Sequence, residues 1–305
     1  MRVAITGSTG LIGSALTRSL LDDGHQVLRL VRERSASAPH GDGSESAVWD
    51  PDAGRITPGA LDGADAVVHL AGAGIGDKRW TEAYKRLVRD SRVKGTTTVA
   101  RAVAESAAPP RVLVSASATG YYGDTGDRVI GEDAPVGDDF LAGVCADWEA
   151  SADPAREAGV RVVHPRTGLV VSAKGGAFGK LLPPARFGLG GRLGSGEQYW
   201  PFISLTDHIA ALRFAIEHEG LSGPANFTAP EPVTNAAVTR AVGRALHRPT
   251  PAAVPAFALR AALGEFAETV TCSCRAVPNA LLAAGFEFAH PTIDAALDSV
   301  LKTPA

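Results

Sequence analysis

Short apolar runs recur along the first half of the chain, and each ends on small or polar residues. RVAIT (2–6) runs straight into glycines. QVLRLV (26–31), ADAVVHLAG (64–72), RVLVSASA (111–118) and RVVHPRTGLVV (161–171) repeat the form. Apolar runs bounded by turn residues predict strands. Between them lie segments with apolar residues at helical spacing. GLIGSALTRSLLDDG (10–24) closes on Gly24, a plausible C-cap. TEAYKRLVRDSRVKGTTTVARAVAES (81–106) is ended by Pro109 and Pro110, and FLAGVCADWEASADPA (140–155) is limited by Pro154. Strands alternating with helices predict an α/β fold with a parallel sheet covered on both faces.

The second half reads differently. Residues 174–202 are glycine-rich but interleaved with Phe, Leu, Tyr and Trp, which predicts an ordered loop with close backbone approaches. Beyond residue 230, alanine-rich helices are divided by prolines. The expected organisation is a nucleotide-binding domain from 1–172 and 200–230, with 173–199 and 231–305 forming a smaller lobe over the substrate. No internal repeat is evident.

The first turn carries the clearest chemistry. Thr6-Gly7-Ser8-Thr9-Gly10-Leu11-Ile12-Gly13 lies between a strand and a helix. Gly7 allows a tight turn, Gly10 lets the backbone approach a pyrophosphate, and Gly13 lets helix and strand pack closely. The free N–H groups of the helix start, from Leu11 onward, then favour phosphate. The end of the second strand selects the cofactor: an acid there binds the ribose 2′-OH of NAD, an arginine the 2′-phosphate of NADP. Arg32 is the first residue past the apolar run, with Arg34 nearby, so NADP(H) is favoured over NAD(H) despite Glu33.

The glycine turn, HLAG (69–72) and SASATGYYG (115–123) together resemble the extended short-chain dehydrogenase/reductases. GDKRWTEAYKRLVRDSR, FLAGVCADWE, RTGLVVSAKGGAF and GLGGRLGSGEQYWPFISLTD narrow the likeness to an atypical branch, the epimerase family proteins (short-chain dehydrogenase/reductase family 39U). The resemblance implies a Rossmann-type doubly wound parallel sheet with a small C-terminal substrate lobe, and NADP(H) as cofactor. It assigns cofactor contacts to Leu70, Ala71, Gly72, Ser115 and Arg166, besides Thr6, Thr9, Ile12 and the glycines. It places Gly175, Gly176, Gln198, Trp200 and Asp207 on the substrate rim. His69 reads as packing at a strand end. Relatives carry Trp and His where this chain has Phe202 and Ser204, which weakens any carry-over of substrate.

The parent superfamily works through a serine or threonine with Tyr-x-x-x-Lys on a helix; the lysine holds the ribose and lowers the tyrosine pKa. Here the four tyrosines, Tyr84, Tyr121, Tyr122 and Tyr199, are followed at the fourth position by Val88, Thr125, Gly126 and Ile203. The pair is absent. Matching FLAGVCADWE to the usual helix puts Leu141 at the tyrosine position and Cys145 at the lysine position, with Glu149 in register. Leu141, Val144, Cys145 and Trp148 share one helical face, either a packed face with an inert thiol or a thiol beside the nicotinamide. By resemblance Ser117 is the superfamily hydroxyl, and Tyr121 and Tyr122 are candidate proton donors from the opposite side.

Composition narrows the partners. A net charge of −3 over 305 residues suggests neither nucleic acid nor a membrane surface. Three cysteines, two of them Cys272 and Cys274, make no disulfide framework or zinc site. The first residues form a strand with no leader pattern, and no apolar run spans a bilayer, so a cytoplasmic protein is expected. Two functions remain open: an NADP(H)-dependent oxidoreductase or epimerase-like enzyme with a displaced proton donor, acting on a small molecule, or a non-catalytic NADP(H) sensor without a substrate. The resemblance also allows a homodimer through helices 81–106 and 140–153.

Overall fold

The computed structural model describes residues 1–33 and 41–301. In chain order the first half forms β1 (Arg2–Thr6), α1 (Leu11–Asp22), β2 (Gln26–Val31), β3 (Glu45–Asp50), β4 (Arg55–Ile56), β5 (Ala66–His69), α2 (Glu82–Ala104), β6 (Val112–Ser115) and β7 (Ser117–Ala118). A short helical turn, Thr119–Tyr122, precedes β8 (Val129–Ile130), α3 (Phe140–Ala150), α4 (Asp153–Glu157), β9 (Arg161–Thr167) and β10 (Leu169–Val171). Then come α5 (Gly176–Arg186), β11 (Gly191–Leu193), β12 (Tyr199–Trp200), β13 (Phe202–Ser204), α6 (Leu205–Glu217), β14 (Gly223–Phe227), β15 (Val233–Thr234) and α7 (Asn235–Leu246).

The main sheet runs β14-β9-β6-β5-β1-β2-β3-β4, with β7 added beside β9. All its pairings are parallel except the β3–β4 hairpin. Chain order reverses between β1 and β5, so this is a doubly wound α/β sheet with a switch point at the glycine turn. Strand alternation sends Val3, Ile5, Val68 and Val114 into one core with Leu16 and Leu20 of α1 and Leu212 of α6. Ala4, Leu28, Leu30, Val67 and Leu113 pack the other face with Val99 and Val103 of α2.

Three differences from the pattern reading have physical causes. RVVHPRTGLVV is two strands. At Gly168 the chain leaves β14 and turns to β13, with Gly168 N–H on Phe227 O and Leu169 N–H on Pro201 O. A Cβ at Gly168 would lie 2.6 Å from Pro201 O, so only glycine allows the crossing. Part of the expected glycine-rich loop is α5. Phe178, Leu182 and Ala185 recur at helical spacing and are buried, which outweighs the two missing N–H groups at Pro183 and Pro184. Finally, ESAVWD forms β3 although its pattern is weak; Trp49 is its one buried residue.

A second core joins Val171, Phe178, Leu182, Trp200 and Phe202 to Val238, Val242, Ile293 and Leu297. It draws on α5, α7 and the C-terminal helix Ile293–Leu301.

Candidate functional site at the carboxyl edge of the sheet

The β1–α1 turn is built without side chains where a ligand would need space. Gly7 has φ +66°, and a Cβ on it would lie 2.9 Å from Ala71 N and Leu70 C. A Cβ on Gly13 would lie 2.2 Å from Gly7 O. Both glycines are therefore demanded by the protein's own backbone. Gly10 differs. It is exposed, and the nearest atom to its Cβ direction is Gly7 O at 3.3 Å. Gly10 is also the N-cap of α1, with no side-chain cap, and the first turn holds no acidic residue. Thr9 is exposed, while Leu11 and Ile12 are half-buried. Uncapped N–H groups at a helix start attract an anion. The turn thus fits the pyrophosphate of a dinucleotide.

Thr6 acts from behind the turn. Its Oγ1 accepts from Leu70 N (3.1 Å) and Ala71 N (3.2 Å). Its hydroxyl pairs with His69 Nδ1 at 2.7 Å. Thr6 therefore pins the 70–72 loop to the glycine turn. His69 is fully buried, edge-on to Trp49, and burial pushes its pKa down to about 3. It is a neutral strand-end residue.

At the end of β2, Arg32 and Glu33 are exposed; Arg34 lies outside the described residues. Pattern reading missed Arg29. It is an arginine inside an apolar strand, 7% exposed, and its guanidinium donates to Ser8 O (3.3 Å) and to Asp42. It ties β2 to the glycine turn. The only signal was its oddity within QVLRLV.

A polar cluster fills the ends of β7 and β9. Ser117 Oγ donates to Glu149 Oε1 at 2.6 Å. Arg166 grips the same carboxylate through Nε (2.8 Å) and a second nitrogen (2.9 Å). It also donates to Tyr122 Oη (3.0 Å) and Glu132 O (3.1 Å). Tyr122 Oη in turn donates to Asn226 Oδ1 at 2.6 Å. With Glu149, Tyr122 and Glu132 O all drawing on it, Arg166 is turned inward and 3% exposed, not presented to the cleft. Burial pushes the Tyr122 phenol up to about 12, despite the opposing hydrogen bond from Arg166. Tyr122 is a strut. Tyr121 differs: its ring lies 3.5 Å from the Arg166 guanidinium carbon, it is half-buried, and its hydroxyl has no hydrogen-bond partner among the described residues. Ser115 is fully buried, with its hydroxyl unpartnered among the described residues.

Leu141 and Cys145 lie under the Thr119–Tyr122 turn. A Cβ at Gly120 would be 3.5 Å from Leu141 Cβ and 3.9 Å from Cys145 Sγ. Burial pushes the Cys145 thiol up to about 12, so it is neutral near pH 7. The same holds for Cys272 and Cys274.

The rim residues divide. A Cβ at Gly175 or Gly176 would lie within 4 Å of Leu11 Cδ2, so the α5 entrance adjoins the glycine turn, and Gly176 is exposed. Gln198 and Trp200 are buried, donating to Leu193 O (2.9 Å) and Val270 O (3.1 Å). Asp207 accepts from Ala289 N and His290 N, and Ser204 caps its helix. These three face the protein interior. No cluster of metal-ligating side chains occurs, and no helix is long and apolar enough to cross a membrane, among the described residues.

A glycine turn with an uncapped helix start on the first strand of a doubly wound parallel sheet, with hydroxyls gathered at neighbouring strand ends, defines a Rossmann-type protein of the short-chain dehydrogenase kind. Residues 3–227 match the model of the NAD dependent epimerase/dehydratase family, and residues 254–300 match a domain of unknown function (DUF1731). The chain belongs to the NAD dependent epimerase/dehydratase family. It is 49% identical over 303 residues to the epimerase family protein Mb2239 of Mycobacterium bovis, covering 99% of this chain and 98% of that one. It resembles the crystal structure of human epimerase family protein SDR39U1 (isoform 2) with NADPH at a TM-score of 0.89 and 33% identity, over 100% of both chains. MoeE5 in complex with UDP-glucuronic acid and NAD shares the fold alone, at a TM-score of 0.78 and 20% identity, over 99% of this chain and 98% of that one.

Proposed function

We propose that this protein is an NADP(H)-dependent oxidoreductase or epimerase-like enzyme acting on a small molecule, with Tyr121 in place of the missing Tyr–Lys donor. The observation that carries the reading is the pairing of an uncapped, glycine-lined turn with a polar rather than apolar cluster at the ends of β7 and β9. NADP(H) bound there supplies hydride-transfer chemistry. Thr9, Gly10, Leu11 and Ile12 would hold the pyrophosphate, and Arg32 the 2′-phosphate. The human relative was crystallised with NADPH, which supports that choice.

The residues then take distinct parts. Ser117, 3% exposed, directs its proton at Glu149 and keeps its oxygen lone pairs as acceptors at the end of β7, next to the turn that carries Tyr121. Arg166 keeps the Glu149 carboxylate in place. Tyr121 is the phenol free to exchange a proton with a substrate oxygen, its ring held by the Arg166 guanidinium. A second reading, NADP(H) binding without turnover, is favoured by one observation: the packed Leu141–Cys145 face where a Tyr–Lys pair would stand.

Calorimetric titration of NADPH and NADH tests the cofactor. NADPH should bind more tightly, and Arg32→Ala should weaken NADPH alone by about tenfold or more, the worth of a charge-assisted hydrogen bond. Equal affinities in the wild type would overturn the NADP(H) assignment. Screening carbonyl compounds and nucleotide sugars for NADPH consumption then separates enzyme from sensor.

A further inference from the structure

The small lobe carries the most exposed large apolar side chains among the described residues: Phe187 (80%), Phe257 (78%) and Leu189 (71%). Phe187 follows α5, and the chain turns there, with Phe187 N and Leu189 N both donating to Pro184 O at 3.1 Å. Gly188 between them has a φ of +73°, which glycine adopts freely. A Cβ on it would lie 3.9 Å from Pro249 Cγ, so the turn adjoins the approach to the next strand. That strand, β16 (Ala252–Val254), pairs in parallel with β11, Gly191 opposite Ala252 and Leu193 opposite Val254. The ribbon has no further strand partner among the described residues. It leads into α8 (Ala256–Leu263), where Leu259 is buried and Phe257 is not. Pro249, Pro251, Ala252, Ala253, Pro255 and Ala256 are exposed alongside.

The same surface is cationic. Arg186, Arg192 and Arg248 are exposed. Arg248 Nε donates to Arg186 O (3.1 Å), and Arg192 to Ser195 O (3.0 Å). Backbone oxygens hold these guanidinium groups without neutralising them. Residues 174–196 and 232–264 contain no Asp or Glu. Arg260 and Arg244 do meet carboxylates, Glu268 and Asp294, which come from outside those stretches. The net charge of −3 conceals this arrangement, because the acids of the chain lie elsewhere.

Single exposed apolar residues are ordinary on a protein surface; several gathered among cations form a docking surface. A second copy does not suit it. A two-fold contact would set these arginines against themselves, with no carboxylate in either stretch to answer them. Nucleic acid would use the arginines but not Leu189, the prolines and the alanines. An anionic bilayer uses both. Lipid phosphates meet the arginines, while the rings and the leucine enter the boundary between headgroups and acyl chains. We propose that the Phe187–Leu189 turn and the β11–β16 ribbon dock the protein on an anionic membrane surface. The contact is peripheral, since no described helix is long and apolar enough to cross. It requires no cofactor and stands apart from the NADP(H) reading.

Flotation of the full-length protein with lipid vesicles tests this. Vesicles of phosphatidylcholine mixed with phosphatidylglycerol should carry the protein. Phosphatidylcholine alone should carry far less, and high salt should release it. Phe187→Ser with Leu189→Ser should lower partitioning about tenfold or more, because less apolar area leaves water. Arg186→Gln with Arg248→Gln should lower it by about tenfold. Leu87→Ser, at an exposed leucine on α2, should leave it unchanged. Phe257→Ser repeats the apolar test should the turn variant fail to fold. Wild-type protein that does not float with the mixed vesicles overturns the proposal, and tight binding of a single-stranded oligonucleotide would then give the surface to nucleic acid. Equal flotation with both kinds of vesicle overturns it too, as does a folded turn variant that floats like the wild type. A lipid-free wild-type dimer that the turn variant breaks, measured by light scattering, would give the surface to a second copy and overturn it as well.

Discussion

The glycine turn and the Glu149–Arg166 cluster lie on the same edge of one sheet, yet they are built on opposite terms. At the turn, Gly7, Gly10 and Gly13 leave the backbone bare and the helix start is uncapped. In the cluster, one carboxylate takes three hydrogen bonds from Ser117 and Arg166, and Tyr122 is held at both its donor and its acceptor side. Groups left unspent mark where a ligand is expected. Groups spent on each other mark a brace. Tyr121 stands at the boundary, since its ring lies on Arg166 while its hydroxyl has no partner among the described residues.

The largest effect separates two glycines of the same turn. Gly13→Val should yield no folded protein, because even its Cβ would overlap Gly7 O at 2.2 Å. Gly10→Val should fold. Its φ of −73° and ψ of 173° suit any residue, and Gly7 O need yield only slightly. Its branches would fill the pyrophosphate space, so NADPH affinity should drop by at least about 100-fold, on the order of 3 kcal/mol. Circular dichroism and calorimetry on both variants decide this. A folded Gly10→Val that binds NADPH normally would show that the turn is structural throughout.

Next comes the brace. Arg166→Met strands the Glu149 carboxylate, whose side chain is 13% exposed. Breaking a buried pair by removing one partner costs about 3–5 kcal/mol. Urea denaturation should report a loss of that size. A loss under about 1 kcal/mol would place the cluster with ordinary surface ion pairs.

The two regions were not equally legible in the sequence. The turn shows because glycine spacing is a backbone requirement, and backbone requirements are local. The strands that border it are continuous apolar runs, so their order and type could be read as well. The brace joins residues 117, 122, 132, 149, 166 and 226, brought together only by β7, β9, α3 and β14 folding onto one another. No spacing announces such a set. Tyr121 and Tyr122 look alike in the chain; a 3₁₀ turn points one hydroxyl at Asn226 and leaves the other open. Gln198 and Trp200 were legible as special, but their polar atoms serve Leu193 O and Val270 O inside the second core.

The tyrosine pair gives a finer cut. Tyr122→Phe should lose about 1–3 kcal/mol of stability, because it orphans the buried Asn226 Oδ1. Tyr121→Phe keeps the ring on Arg166 and should change stability by less than about 0.5 kcal/mol. In a turnover assay the order reverses: Tyr121→Phe should lose about 100- to 10,000-fold, the usual worth of a positioned acid or base. Turnover that survives Tyr121→Phe and fails in a fully folded Tyr122→Phe would move the donor into the brace.

The smallest effect concerns Cys145, which belongs wholly to the packed side of the comparison. Burial raises its pKa from 9.0 to about 12. The folded state therefore keeps a proton that the unfolded chain releases above pH 9.0, so the thiol's contribution is complete below that pH and is lost as pH rises toward 12. The sign follows from proton count: where the folded state binds more protons, stability falls with rising pH, by at most about 1.4 kcal/mol per pH unit for one group. Cys145→Ala removes this contribution. Its stability at neutral pH should drop by only about 1 kcal/mol, for the small void left. Its alkaline decline should be shallower than the wild type's, although Cys272 and Cys274 keep part of the slope. Denaturation midpoints measured across the alkaline range give the comparison directly. Parallel declines in the two proteins, or rapid alkylation of Cys145 in the folded wild type at neutral pH, would mean that the thiol is ionisable and open. The Leu141–Cys145 face would then belong with the glycine turn rather than with the brace.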